Sequence, residues 1–424
     1  MNVTKKTDDF LRRCGMHPDG VDFNEIKNTF IDEMKAGLEG ERSSLDMLPS
    51  YLSARPAGDG TAVAVDIGGT NLRIALTACQ GGQFRILSLD EFPVPGLERE
   101  VTKAEFFREI AGHLLPAARQ SGNIGVCFSH AVEMLPGGEG RLIAFSKEIK
   151  VSGAAGMEIL KELSQALREA GAGPAKHSVL LNDTAAVLLG GAMASGGQDC
   201  GGYVGFVLGT GMNLSYVERT AEIKKLGGGA DDTMIVNTEA GGFGGVPAGL
   251  LDRALDAASS NPGAHLLEKM TSGRYLGRLI LLTLQKAAAD GLLTPPASEA
   301  VLRLGDLPLP AASDFMSDPR GGSRLAALCR DESDRDAVYT VADRIVGRAA
   351  KLTAAAVAAA VEKTGARPDR PACVTAEGST FYKLYGFREK FLNCLARGGY
   401  GHTRVTGVEN ATLLGTAAAA MAGR

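Results

Sequence analysis

A chain of 424 residues is longer than one hydrophobic core usually organises, so two domains are the expectation. Apolar residues at 45%, charged residues at 22% and a net charge of -4 exclude a disordered chain, a basic nucleic-acid-binding stripe and a polybasic membrane patch. No run of about eighteen apolar residues occurs, which argues against a spanning helix, and the charged stretch MNVTKKTDDFLRRCG lacks the apolar core of a signal peptide.

The expected location is therefore the cytoplasm. The seven cysteines, at 14, 79, 127, 200, 329, 373 and 394, are scattered and never form a Cys-x-x-Cys pair. Neither a zinc site nor a disulfide framework is expected, and the thiols read as reduced, buried small hydrophobes.

In chain order, residues 22–40 place Phe23, Ile26, Phe30, Ile31 and Met34 on one side of a helix. SSLDMLPSYL and the loop ARPAGDG follow and mark a first boundary. AVAVDIGGTNLRIALTA is a β-rich run broken at Gly68-Gly69, read as strand, tight turn and strand, with a further strand to about residue 92. Thr102-Lys103-Ala104-Glu105 is a capping box opening a helix through Phe106, Ile110 and Leu114, and a strand is expected at 123–129. Residues 156–169 carry Met157, Leu160, Leu163, Ala166 and Leu167 at helical spacing, ended by Gly171 to Pro174. The strand HSVLL then runs into Asn182-Asp183. GGYVGFVLGTGMNLSYVE repeats the first hairpin, with Asn213 after its turn as Asn71 is after the first, so two similar half-molecules are expected. Loops and short helices are expected over 294–322, and the Ala-rich KLTAAAVAAAVEK as a core helix.

Glycine turns of this kind let backbone N–H groups and the Thr70 hydroxyl approach a phosphate. Asp66 cannot serve that anion directly and implies a cation between them, most naturally Mg²⁺. Asp183 ends a strand where open α/β sheets meet ligands, and Asn213, Glu239 and Glu268 add amide and carboxylate groups beside glycine-rich bends, suited to a polyhydroxylated ligand. Each has a plainer reading when taken alone. The hairpin Asp and Thr could simply satisfy the turn, Asn182-Asp183-Thr184 could be a helix N-cap, and each Glu a salt-bridged surface residue.

The motifs together resemble the eukaryotic-type hexokinase family, including glucokinases. SSLDMLPSYL, P-x-G-x-G and AVDIGGTNLRIAL are similar to that family's opening signature. The likeness continues through CFSH, FSKE, LLNDTAAVLLGG, GFVLGTGMNLSYVE, MIVNTEAGGFG, NPGAHLLEKMTSGRYLGRL and VTAEGSTFYKLYGFREKF. It implies an α/β fold of the actin-like ATPase (ribonuclease H-like) type, duplicated, with two domains around a deep cleft. The smaller would take residues 62–180 and about 413–424, the larger 1–61 and 181–412.

The resemblance further implies ATP and Mg²⁺ as cofactors, a hexose as substrate, no nucleic acid or membrane partner, and a monomer or homodimer. Asp183 falls on the catalytic base and Lys147 on the cation at the reacting end. Ser129, Ser146, Lys147, Asn182, Asn213, Glu239 and Glu268 fall on sugar contacts. Asp66, Gly68, Gly69, Thr70, Asn71, Arg73, Gly209, Thr210, Gly211, Gly378 and Ser379 fall on the nucleotide side, Asp66 meeting the metal through water. The chain departs from the family pattern at Glu239-Ala240-Gly241, Gly244-Gly245-Val246, Glu377-Gly378-Ser379 and Asn410-Ala411-Thr412, and His130 stands where an aromatic residue is usual. A sugar-binding regulatory protein with weak turnover, or another kinase of the same duplicated fold, are the alternatives.

Overall fold

The computed structural model describes residues 3–54, 58–145, 149–195, 200–227 and 232–422. Ser146, Lys147 and part of the ARPAGDG loop lie outside them.

The first sheet contains β1 (Gly60–Ile67), β2 (Asn71–Gln80), β3 (Gln83–Pro93), β4 (Asn123–Phe128) and β5 (His177–Leu181) in the order β5-β4-β1-β2-β3. The second contains β6 (Gly202–Leu208), β7 (Met212–Arg219), β8 (Thr233–Asn237), β9 (Ala372–Glu377) and β10 (Arg404–Thr406) in the order β10-β9-β6-β7-β8, with Leu48–Pro49 added outside β8. In each, the first three strands form an antiparallel meander and the last two add parallel to the first. The duplication read from two glycine hairpins thus extends to whole sheets with one strand order.

The helices follow sequence cues closely. In α1 (Val3–Arg13) Phe10 and Leu11 are buried; this helix at the charged amino terminus was not foreseen. α2 (Phe23–Glu39) starts where Asp22 accepts from the N–H groups of Asn24 and Glu25, and stops at Gly40 in the left-handed region. The expected capping box is present at α3 (Lys103–Ala118), and α4 (Ile159–Glu169) is followed by left-handed Gly171. α5 (Asp183–Ala194) leaves β5 directly, and α6 is the helix Gly273–Ala289. The Ala-rich segment is the end of a 32-residue helix, α7 (Glu332–Lys363), and short helices Pro295–Leu302 and Leu309–Ser317 occupy the irregular region. The chain ends in α8 (Ser379–Lys383), the helix Phe387–Leu395 and α9 (Ala411–Met421).

Three apolar clusters hold this together. One lies under the second sheet around α7, one between the first sheet and α3 and α4, and the third joins the two halves through α5 and α9. In the third the helices touch backbone to backbone. A Cβ on Gly415 would come 1.8 Å from the Ala186 carbonyl oxygen, and one on Gly190 would come 2.2 Å from that of Ala411.

One expectation is overturned. Cys200 and Cys373 are joined as a disulfide. Adjacent parallel strands bring them together, with Tyr203 opposite Cys373, but 173 residues of chain separate them, so no spacing motif announces the pair.

Candidate active site

Three parallel strands deliver the first group of side chains. Register sets Asp66 and Leu181 on either side of Cys127, so β1, β4 and β5 end level, and Gly68-Gly69, Ser129 and Asn182-Asp183 leave the sheet at one edge. Asn182 caps α5, its side-chain oxygen accepting from the Thr184 N–H at 2.9 Å and the Thr184 hydroxyl at 2.6 Å. The cap reading therefore holds for Asn182, and it fixes the start of the helix on which Asp183 sits. The Ser129 N–H donates to the Ile67 carbonyl at 3.2 Å, tying β4 to the hairpin.

Asp66 is 7% exposed and meets Arg73 across the hairpin, the guanidinium donating to Oδ2 at 2.6 and 3.0 Å. Burial works against the Arg73 charge, but the Asp66 carboxylate outweighs it and holds the guanidinium pKa above its ordinary value. The turn between them closes with the Gly68 N–H on the Asn71 carbonyl at 3.1 Å, leaving Thr70 exposed. Cys127, fully buried in the central strand, has its thiol pushed well up, first by burial and then by the charges of Asp66 and Asp183. A single thiol senses both carboxylates.

The second sheet supplies the facing group. Glu239 sits in the left-handed region at φ 53° and accepts from the side-chain amides of Asn237 at 2.6 Å and Asn213 at 3.2 Å. Asn213 in turn accepts from the Ala240 N–H at 3.1 Å, so amide and carboxylate brace each other. Glu268 lies against the second turn, where a Cβ on Gly211 would come 2.8 Å from its Oε2. Burial pushes the Glu239 carboxyl up, and Asp183 adds to the effect. Asn213, Glu239 and Glu268 thus form one cluster, in which the Glu239 carboxylate feels the charge of Asp183.

The second phosphate-type turn is Gly209-Thr210-Gly211, closed by the Gly209 N–H on the Gly211 carbonyl at 3.0 Å. Gly378 packs on it, at φ 116° and so close that a Cβ would lie 2.2 Å from the Leu208 carbonyl oxygen, a position only glycine fills without strain. Ser379 is exposed beside it. Two departures from the family pattern meet here, the Thr412 hydroxyl donating to Glu377 at 3.0 Å. Burial raises the Glu377 pKa, while the Arg73 charge opposes and the Asp66 charge assists, which links this sheet to the first hairpin.

The Thr412 bond supplies a structural role for the Asn410-Ala411-Thr412 segment, which opens α9. Ser146 and Lys147 follow Phe145, whose ring packs near Phe106, Phe128 and His130. His130 is 5% exposed with its ring edge-on to Phe128, a packed imidazole. Asn237, Cys127 and Glu377 were not singled out as site residues. Asn237 could have been found from its place two residues before Glu239, but the neighbours of Cys127 depend on sheet register.

Among the described residues no group of three or more His, Cys, Asp and Glu side chains could hold a metal ion. The Asp66 oxygen committed to Arg73 likewise suits an outer contact through water better than direct ligation.

Hexokinase family profiles match residues 6–193 and 203–422. Hexokinase-5 of Oryza sativa subsp. japonica is 30% identical over 407 residues, covering 87% of this chain and 78% of that protein. The chain belongs to the hexokinase family, a family of phosphotransferases. Hexokinase-1 of Nicotiana tabacum is 31% identical over 388 residues, covering 84% of this chain and 76% of that protein. Hexokinase-3 of Mus musculus is 29% identical over 388 residues, and the chain spans only 41% of its length. The solved hexokinase from Schistosoma mansoni complexed with glucose superposes with a TM-score of 0.80 at 24% identity, covering 99% of both chains. That likeness and the paired sheets establish the family's two-domain, actin-like α/β fold. Among the described residues no helix is long and apolar enough to cross a membrane.

Proposed function

We propose that the chain transfers the γ-phosphoryl group of ATP to the 6-hydroxyl of a hexose, glucose foremost, giving hexose 6-phosphate and ADP. The observation that carries this reading is the place of Asp183: strand register sets it at the edge where Asp66 and its glycine hairpin leave the first sheet, and its charge bears on Glu239 of the facing cluster. One carboxylate then adjoins a donor-binding hairpin and a set of groups suited to sugar hydroxyls.

In this reading Asn213, Glu239 and Glu268, with Asn182, Ser129 and Ser146, hold the sugar's hydroxyls, each of which both donates and accepts. Asp183 accepts the 6-hydroxyl proton as that oxygen attacks in line, and Lys147 stands as the cation at the reacting end. The phosphates lie between the turns at Gly68-Gly69-Thr70-Asn71 and Gly209-Thr210-Gly211, with Gly378 and Ser379 on the nucleoside side. Arg73 holds Asp66 oriented and adds positive charge. Mg²⁺, accompanying the nucleotide near Asp66, would neutralise phosphate charge. Residues 62–180 with 413–424 form the smaller domain and 1–61 with 181–412 the larger; closure of the two excludes water, the competing acceptor. The cytoplasm is the proposed location.

Initial-rate measurement of ADP release with MgATP and glucose, mannose, fructose or glucosamine tests the reading. Sugar-dependent ADP formation supports it. Sugar binding seen by thermal shift without ADP would instead support the sugar-binding regulatory protein.

A further inference from the structure

A row of side chains crosses the first sheet just inside its carboxyl edge. Register sets Arg73 of β2 opposite Asp66 of β1, Asp66 opposite Cys127 of β4, and Cys127 opposite Leu181 of β5. Partners in register point to the same face, so the Asp66 carboxylate stands between the Arg73 guanidinium and the Cys127 thiol. The next row inward on this face is Ala75, Ala64, Gly125 and Val179, and there the sheet meets main chain: a Cβ on Gly125 would come 2.2 Å from the Thr416 carbonyl oxygen of α9. Packing that close holds the outer row in place.

The two flanks of Asp66 are bonded differently. Both Arg73 bonds fall on one carboxylate oxygen, Oδ2, at 2.6 and 3.0 Å. Bonds to a single oxygen leave the carboxylate plane free to swing about it, and a donor on the far flank stops that swing. The Cys127 thiol is on that flank, with the Asp66 carboxylate and Ser129 as its hydrogen-bond partners. Its other surroundings are apolar: it is 0% exposed, in the cluster of Leu181, Ala185, Ala186 and Ala417 that joins the two halves. A thiol is a weak donor, but burial and the charges of Asp66 and Asp183 keep its proton in place.

We propose that Cys127 is a positioning residue for phosphoryl transfer: its S–H, opposite Arg73, fixes the plane of the Asp66 carboxylate that would meet the nucleotide's Mg²⁺ through water. This rests on the proposed function for what Asp66 meets. A thiol that only filled space would be replaced best by valine, apolar and near in size, and worst by serine, whose hydroxyl is polar. A thiol that acts as a donor is replaced by serine and lost in valine and alanine.

The test compares the wild type with Cys127→Ser, Cys127→Val and Cys127→Ala, in rates with MgATP and glucose and in the thermal shift given by ADP with Mg²⁺ or with EDTA. Cys127→Val and Cys127→Ala should raise the KM for MgATP and the Mg²⁺ concentration at half-maximal rate roughly three- to tenfold, the size of one hydrogen bond, with the hexose KM unchanged. Cys127→Ser should stay within about twofold of the wild type, since its hydroxyl also donates. The Mg²⁺-dependent part of the ADP shift should shrink in Cys127→Val and Cys127→Ala and persist in Cys127→Ser. Cys127→Ala adds no bulk and keeps the comparison open where Cys127→Val disturbs the fold. A non-donating variant that matches Cys127→Ser in both measurements overturns the inference, and so does a wild type whose ADP shift is indifferent to Mg²⁺. A wild type that releases no ADP with any hexose, yet shows the expected ranking in the Mg²⁺-dependent shift, keeps the role of Cys127 and refutes the kinase reading instead.

Discussion

Asp66 and Asp183 stand one strand apart at the same edge of the first sheet, with Cys127 between the strands that deliver them. Replacing Asp183 by Asn keeps the size of the side chain and its acceptance of the Thr184 N–H, so the start of α5 persists. Turnover should fall by roughly 10²–10⁴-fold, the range for removing a general base, while the glucose-induced thermal shift survives. ADP release and thermal shift on the same preparation check this; retained turnover removes Asp183 from the reaction.

Arg348 and Asp252 are a stability site remote from the chemistry. Each side chain is 2% exposed; the guanidinium donates to both carboxylate oxygens at 3.0 and 2.6 Å and to the Pro247 carbonyl at 2.9 Å. Arg348→Met leaves a buried carboxylate uncompensated and should cost about 3–5 kcal/mol, read as a lower midpoint in denaturant. The double variant Arg348→Met with Asp252→Leu should recover part of that loss, since the stranded charge is gone.

Burial raises the carboxyl pKa of both Glu239 and Glu377. The folded chain then binds protons at these positions more tightly than the unfolded chain, whose glutamates titrate at about 4.3. Their contribution to stability is greatest in acid and declines as pH rises from there through the raised values. Glu239→Gln and Glu377→Gln should each flatten that decline in denaturant titrations across the same pH window; unchanged profiles would show that neither group titrates there.

Reduction of the Cys200–Cys373 bond should lower thermal stability, with about 5 kcal/mol as the entropic ceiling for a loop of this length. The bond lies at the amino ends of β6 and β9, whereas Gly209 and Gly378 follow their carboxyl ends, so turnover of the reduced enzyme should persist. Thiol titration of the denatured, unreduced protein checks the premise; seven reactive thiols would refute it.

What the sequence made legible was what a short stretch of chain decides by itself. Gly68-Gly69 and Gly209-Thr210-Gly211 interrupt β-rich runs, Thr102 and Glu105 satisfy each other's N–H groups, and Asn182 caps the helix that follows it; each is complete within a few residues. Asp183, Glu239 and Asn213 were found because they sit beside such punctuation. The common strand order of the two sheets, the pairing of Cys200 with Cys373, the carboxylates around Cys127 and the bond from Thr412 to Glu377 depend on segments far apart in the chain.

Where α5 and α9 cross at Gly190 and Gly415, bare main chain rests on bare main chain. A Cβ at either position would meet main-chain atoms that cannot step aside, so the helices keep this approach only while both positions are glycine. Asp183 lies on the same helix, seven residues or about two turns before Gly190, so any displacement of α5 forced at this crossing is carried toward it. A methyl group added at Gly415 should wedge the two helices apart and register first as a lower melting temperature.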